Sequence, residues 1–164
     1  MTVSASPNTP DTAADPPAAA GPVVDGRVIG LAHYAGRAVA ESVLAGYGAG
    51  FQESVTLRLT AVADGPVERD SLVAEVVDTL KTAEADAVAT VDALIGKGLI
   101  ATEGTRVRIT DAGRKLYADT SAETGVISAR IYAGIPAADL ATAGRVLALV
   151  TERANAELAA RKGA

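Results

Sequence analysis

The chain contains no cysteine, no tryptophan, a single phenylalanine (Phe51) and a single histidine (His33). Without thiols there is no disulfide, no thiolate nucleophile and no thiol redox sensor, and one imidazole supplies too few ligands for a structural zinc site. Aromatic residues make up 3% of the chain against 49% hydrophobic residues, so the apolar content is mainly Ala, Val and Leu, small side chains suited to closely packed helices. No stretch approaches the roughly 18 apolar residues of a membrane span. The first residues also lack the basic start and apolar run of a secretory signal. A cytoplasmic protein with no membrane partner is therefore expected. Positive charge is short as well: 15 Lys and Arg face 20 Asp and Glu, for a net charge of −5. That balance argues against non-specific coating of nucleic acid, which runs on surplus cations, while leaving room for a local basic patch. Missing too are a Gly-rich phosphate loop ahead of a helix, a metal-ligand cluster and a nucleophile with a recognisable base. No cofactor, no metal and no enzymatic activity are expected; only His33, with a nearby Tyr or Glu, offers acid–base chemistry.

What is present reads as one mainly helical domain of ordinary size. Residues 1–24 gather Pro7, Pro10, Pro16, Pro17 and Pro22 among Ser, Thr, Ala and Asp without periodicity. Such a segment buries too little surface to offset ordering, so a disordered tail is expected, followed by a single domain over 25–162. Val28, Leu31, Ala35, Val39 and Val43 recur every three or four residues, the spacing of a helix that ends near Tyr47. Phe51, Val55, Leu59 and Val62 mark a second helix, closed by Asp64-Gly65-Pro66. Leu72, Val73, Val76, Val77 and Leu80 mark a third. Thr82 is placed to cap a fourth, whose apolar stripe is Val88, Val91, Leu94 and Ile95 and whose end is Gly96-Lys97-Gly98. Two β-prone runs, Leu99–Thr102 and Thr105–Thr110, flank a Glu103-Gly104 turn and predict a hairpin with Val107 and Ile109 inward and Arg106 and Arg108 outward. Thr110 or Asp111 caps a long fifth helix to about Tyr132, and Pro136 opens a sixth that runs close to the C-terminus.

Four helices, Lys97-Gly98-Leu99-Ile100, a hairpin ending in Ile109-Thr110-Asp111-Ala112-Gly113 and two more helices follow the order of a winged helix-turn-helix. The pattern over roughly residues 26–160 resembles the MarR family of bacterial transcription regulators. Ile131–Leu140 is similar to that family's link between its last two helices. The resemblance implies a mainly α fold with a small β-hairpin wing: a winged helix-turn-helix at 50–117, and dimerisation helices at 25–47 and 118–162. It implies a homodimer on a double-stranded DNA operator, a repressor released by a small aromatic or phenolic effector. The apolar stripes of helices one, five and six agree, since one small winged domain cannot cover them.

The reading helix of that arrangement is EADAVATVDALIGKGLI, which contains no arginine. With Val88, Val91 and Leu94 inward, Asp86, Ala89, Thr90 and Ala93 are expected to face DNA. Thr90 would bond a base or phosphate, Asp86 would accept from cytosine N4, and the Ala methyls would meet thymine methyls. Lys97, Arg106 and Arg108 are the expected phosphate contacts, although a solvated strand face explains the two arginines equally well. Between Leu80 and Tyr117 the cations outnumber the acids by one, so DNA binding is expected to be weak or narrow. The wing is a tight turn rather than the family's long basic loop. His33, Tyr34, Arg37 and Tyr132 are the candidate effector contacts. Against them stand an ordinary Arg37–Glu41 pair and plain aromatic packing. The alternative function is a dimer that has lost operator recognition and binds small molecules or proteins, and the remote one is an enzyme using His33.

Overall fold

A computed structural model describes residue 21 and residues 23–163. The expected tail at 1–24 lies almost wholly outside them. Among the described residues, those up to Arg37 belong to one compact unit and those from Ala38 to another. The first holds the opening turns of α1 (Gly26–Ala45). The second runs through α2 (Phe51–Ala61), β1 (Val67–Glu68), α3 (Arg69–Leu80), α4 (Glu84–Gly96), β2 (Ile100–Glu103), β3 (Arg106–Ile109), α5 (Asp111–Tyr132) and α6 (Ala137–Lys162). The fold is a winged helix: helices with a small antiparallel sheet of order β1-β3-β2. Among the described residues no single helix is long and apolar enough to cross a membrane.

The core of the second unit gathers Leu57 from α2, Leu72, Val73 and Val76 from α3, Ala87, Val91 and Leu94 from α4, and Ile100, Val107 and Ile109 from the sheet. Val107 and Ile109 point inward and Arg106 and Arg108 outward, as the alternation of a strand requires. Three local expectations need correction. The sheet has a third strand: Val67 and Glu68 pair with Val107 and Arg106. Glu103 pairs with Arg106, which moves the turn one residue on, to Gly104 and Thr105. Ala83, not Thr82, is the N-cap of α4, and the Thr82 hydroxyl lies 3.3 Å from the Asp86 carboxylate instead. In α2 the buried face is Thr56, Leu57 and Thr60, while Val62 is exposed. This helix packs against α3, α4, α5 and β3 together, so a single apolar stripe does not describe it.

Two junctions fix the wing to α4. At the first, Gly98 adopts φ +68 and the Leu99 N–H donates to the Leu94 carbonyl at 3.0 Å. This left-handed cap turns the chain from helix into strand. At the second, Thr110 caps α5 by accepting from the Gly113 N–H at 3.1 Å, and its hydroxyl donates to the carbonyls of Gly98 at 2.8 Å and Leu99 at 3.0 Å. Gly113 is buried, and a Cβ there would sit 2.1 Å from the Leu99 carbonyl oxygen and 2.9 Å from Ile109 Cγ1. Only a residue without a side chain lets the first turn of α5 come this close. Gly113→Ala is expected to cost about 3 kcal/mol, the upper end for forcing volume into a packed site, read as a lower midpoint in urea denaturation.

Candidate nucleic-acid interface and effector cleft

Helix α4 buries Ala87, Thr90, Val91 and Leu94 and leaves Ala85, Asp86, Ala89, Asp92 and Ala93 exposed. Asp86, Ala89 and Ala93 therefore lie on the outer face expected of them. Thr90 does not. Its side chain turns into the core, only 8% of the residue is exposed, and its hydroxyl donates to the Asp86 carbonyl at 2.8 Å. The physical reason is the rotation of the helix. Ala87 and Thr90 turn toward the core with Val91 and Leu94, and Val88 and Ile95, both half-buried, lie on the flank of that face. The outward face is left with methyl groups and carboxylates.

Every cation proposed for DNA already has a carboxylate partner. The Lys97 ammonium bonds the Glu53 carboxylate at 2.7 Å and the Gly48 carbonyl at 3.0 Å. Glu53, whose side chain is 15% exposed, also accepts from the Gly50 N–H at 2.9 Å. Lys97 thus staples the end of α4 to the start of α2. Arg106 Nε donates to Glu68 at 2.9 Å, and Arg108 Nε donates to Glu103. Arg69, which sequence reasoning passed over, pairs with Asp92 of α4 at 2.7 Å. The Glu68 carboxyl is held below its ordinary value, first by a hydrogen bond from Thr105 and then by the one from Arg106. Its charged, paired form is therefore present at neutral pH and is lost only as the pH falls below the ordinary glutamate value of about 4.

The cleft of the second unit is elsewhere. Ala40 and Leu44 of α1, Phe51, Ser54, Val55 and Arg58 of α2, and Tyr117, Thr120, Ser121 and Thr124 of α5 line a cavity of about 360 Å³, within the range of about 300–1,000 Å³ usual for small ligands. Tyr132, in the last turn of α5 and exposed, does not line it. His33, Tyr34 and Arg37 belong to the first unit, where the His33 and Tyr34 rings meet edge to face at 5.6 Å. Arg58 stands out among the described cations from residue 51 to 117. Each of the others has a carboxylate within ion-pair range, and Arg58 has none. Beside the cleft, the Tyr47 hydroxyl donates to Glu123 at 3.0 Å and ties the α1–α2 loop to α5.

No family model and no curated protein sequence matches the chain. Solved structures do. A MarR family transcriptional regulator from Rhodococcus sp. RHA1 superposes with a TM-score of 0.66 at 19% identity, over 77% of this chain and 91% of that one. The chain has the MarR fold. CouR from Rhodococcus jostii RHA1, bound to p-coumaroyl-CoA, shares that MarR fold at a TM-score of 0.66 and 20% identity, over 77% and 90% of the two chains. A Mycobacterium tuberculosis MarR family protein in complex with DNA gives 0.61 at 19% identity, over 79% and 98%. In this version of the MarR fold α4 is the helix that leads into the wing, and Thr90 is part of its buried side. Thr90→Val is accordingly expected to leave any DNA sequence preference unchanged while shifting stability by about 1 kcal/mol, the usual net worth of a hydrogen bond such as the one its hydroxyl gives the Asp86 carbonyl. Competition between operator variants and a urea melt read the two effects separately.

Proposed function

We propose that this protein is a dimeric transcription regulator of the MarR type, cytoplasmic, that binds double-stranded DNA and is released from it by a small anionic, aromatic effector. The observation that carries the reading is the joint presence, on a MarR fold, of an exposed α4 face with a three-stranded wing beside it and of a separate cleft holding an uncommitted arginine. Structural relatives of the same fold have been solved with DNA and with salicylic acid, which supports assigning the two features to those two partners. Asp86, Ala89 and Ala93 would supply what base discrimination there is, with Arg106 and Arg108 the phosphate contacts. Arg58 would meet the effector's negative charge and Tyr117 its ring.

Helix α6 supports the dimer. It is 26 residues long and buries none of them, and Val146, Leu147, Leu149 and Val150 are all exposed. Apolar surface on that scale calls for a partner, and a second copy of the chain supplies a self-complementary one. Changing Leu147 and Val150 together to Asp is expected to turn the dimer into a monomer, measured by sedimentation.

A second reading is favoured by the ion pairs on the wing: a ligand-binding or protein-binding dimer that no longer recognises an operator. Titration with DNA from the protein's own gene neighbourhood at about 50–100 mM salt, where phosphate contacts are strong, separates the two. Specific binding that weakens for all sequences in Arg106→Ala and Arg108→Ala supports the regulator. Absence of specific binding sinks it. For the effector, Arg58→Ala is expected to weaken salicylate binding by about 10- to 100-fold, the usual range for loss of one charged hydrogen bond, read by calorimetry on the intact dimer.

A further inference from the structure

The outer face of the wing carries four charges that cancel. Arg106 stands on the central strand β3, directly opposite Glu68 of β1 on one side and Glu103 of β2 on the other. It donates to Glu68, while Arg108, two pairs further along, reaches diagonally to Glu103. Two neighbouring strands thus each contribute one glutamate to one of the two outward arginines. All four side chains are about half exposed. Exposed pairs of this kind add little to stability, so holding the sheet together does not account for them. What they change is the field outside the wing, where two cations ready for phosphates become two neutral pairs. A DNA phosphate that takes either arginine must displace a carboxylate, and that carboxylate then remains close to the phosphate as a like charge.

We propose that Glu68 and Glu103 are intramolecular phosphate mimics that occupy Arg106 and Arg108 in the free protein and set a ceiling on its affinity for DNA backbone. The proposal rests on the reading of the wing as a DNA contact. It assigns the two glutamates a role in specificity: indiscriminate binding is suppressed, and only a sequence whose shape and base contacts compensate for the exchange holds the protein. Lys97 differs, because its partner Glu53 is mostly buried and also engaged by the Gly50 N–H, so that pair serves as a fixed staple.

The test uses the full chain and a fluorescent random-sequence 30-base-pair duplex, with anisotropy measured from about 50 to 200 mM salt. Glu68→Gln with Glu103→Gln is expected to raise affinity at least about tenfold at the lowest salt. It should also steepen the dependence of log K on log salt by about 0.9 for each arginine that reaches a phosphate. Two controls separate release of the arginines from a general loss of negative charge. Glu75→Gln with Glu152→Gln removes the same charge away from the wing and is expected to give a much smaller gain. Adding Arg106→Gln and Arg108→Gln to the wing variant is expected to abolish the gain. Glu103→Gln alone leaves the β1 pair intact and is expected to give part of it, and circular dichroism melts establish that each variant is folded. A wing variant no tighter than the Glu75/Glu152 control, or a gain that survives loss of both arginines, overturns the proposal. Wild-type protein that fails on DNA from its own gene neighbourhood while the wing variant grips random duplex refutes the regulator reading and supports phosphate mimicry by the two glutamates. Wild-type binding to that DNA without any gain in the wing variant does the reverse.

Discussion

The first turn of α5 rests against the backbone of Leu99 with no side chain between them, and the wing takes its position from that contact. Gly113 lies where a methyl group would overlap the Leu99 carbonyl. Thr110, three residues earlier, spends its one hydroxyl on the Gly113 N–H and on the carbonyls of Gly98 and Leu99. The end of α4, the start of β2 and the start of α5 therefore meet in one hydrogen-bonded knot. The left-handed turn at Gly98 leads into it. Ile100, Val107 and Ile109 then point into the core from a sheet whose place is already set. The Ile-Thr-x-x-Gly pattern has a mechanical cause: a cap that needs a hydroxyl, and a close approach that needs glycine.

A second set of contacts makes the outer side of α4 and the wing electrically quiet. Lys97, Arg69, Arg106 and Arg108 each meet a carboxylate from a different element of the same unit. The outward residues of α4 add acids and methyl groups rather than donors. On the proposed reading, affinity from phosphates is thereby low, and discrimination rests on shape and small contacts instead of on bidentate arginine. Arg58 is the counter-example within the same winged unit. It is left without an acid and faces a cleft lined by hydroxyls and Tyr117. Cations are paired on the outer face of the wing and left open at the cleft, which is the charge distribution that the proposed regulator with a small anionic effector needs.

Local signals were legible along the chain. The helices were found from their apolar spacing, the hairpin from alternating residues around a glycine turn, and the cap of α5 from Thr110. Each depends on neighbours only a few residues apart. Strand β1 escaped because Val67 and Glu68 have no periodicity of their own and become a strand only by pairing with β3. Thr90 was misplaced for a related reason. Which side of α4 is buried is set by its packing against α2 and α3, and that side takes in Ala87 and Thr90 beside Val91 and Leu94. Arg58 and Tyr117 carry no local signal that sets them apart from the other arginines and tyrosines, because their common property is the cavity they line, which Tyr132 does not reach.

The sequence by itself determined the order of the helices and the hairpin, the turn at Gly98, the capped start of α5 and the outward direction of Arg106 and Arg108. Backbone hydrogen bonding and side-chain alternation act over a few residues and are written in the local pattern. Only the tertiary structure decided which charges remain available. Glu68 meets Arg106 from 38 positions away, and Glu53 meets Lys97 from 44. No count along the chain distinguishes an arginine with a glutamate brought to it by folding from one left open toward a cleft. Composition fixes the number of cations and acids, but the electrostatic surface is fixed by which of them the fold sets within reach of each other.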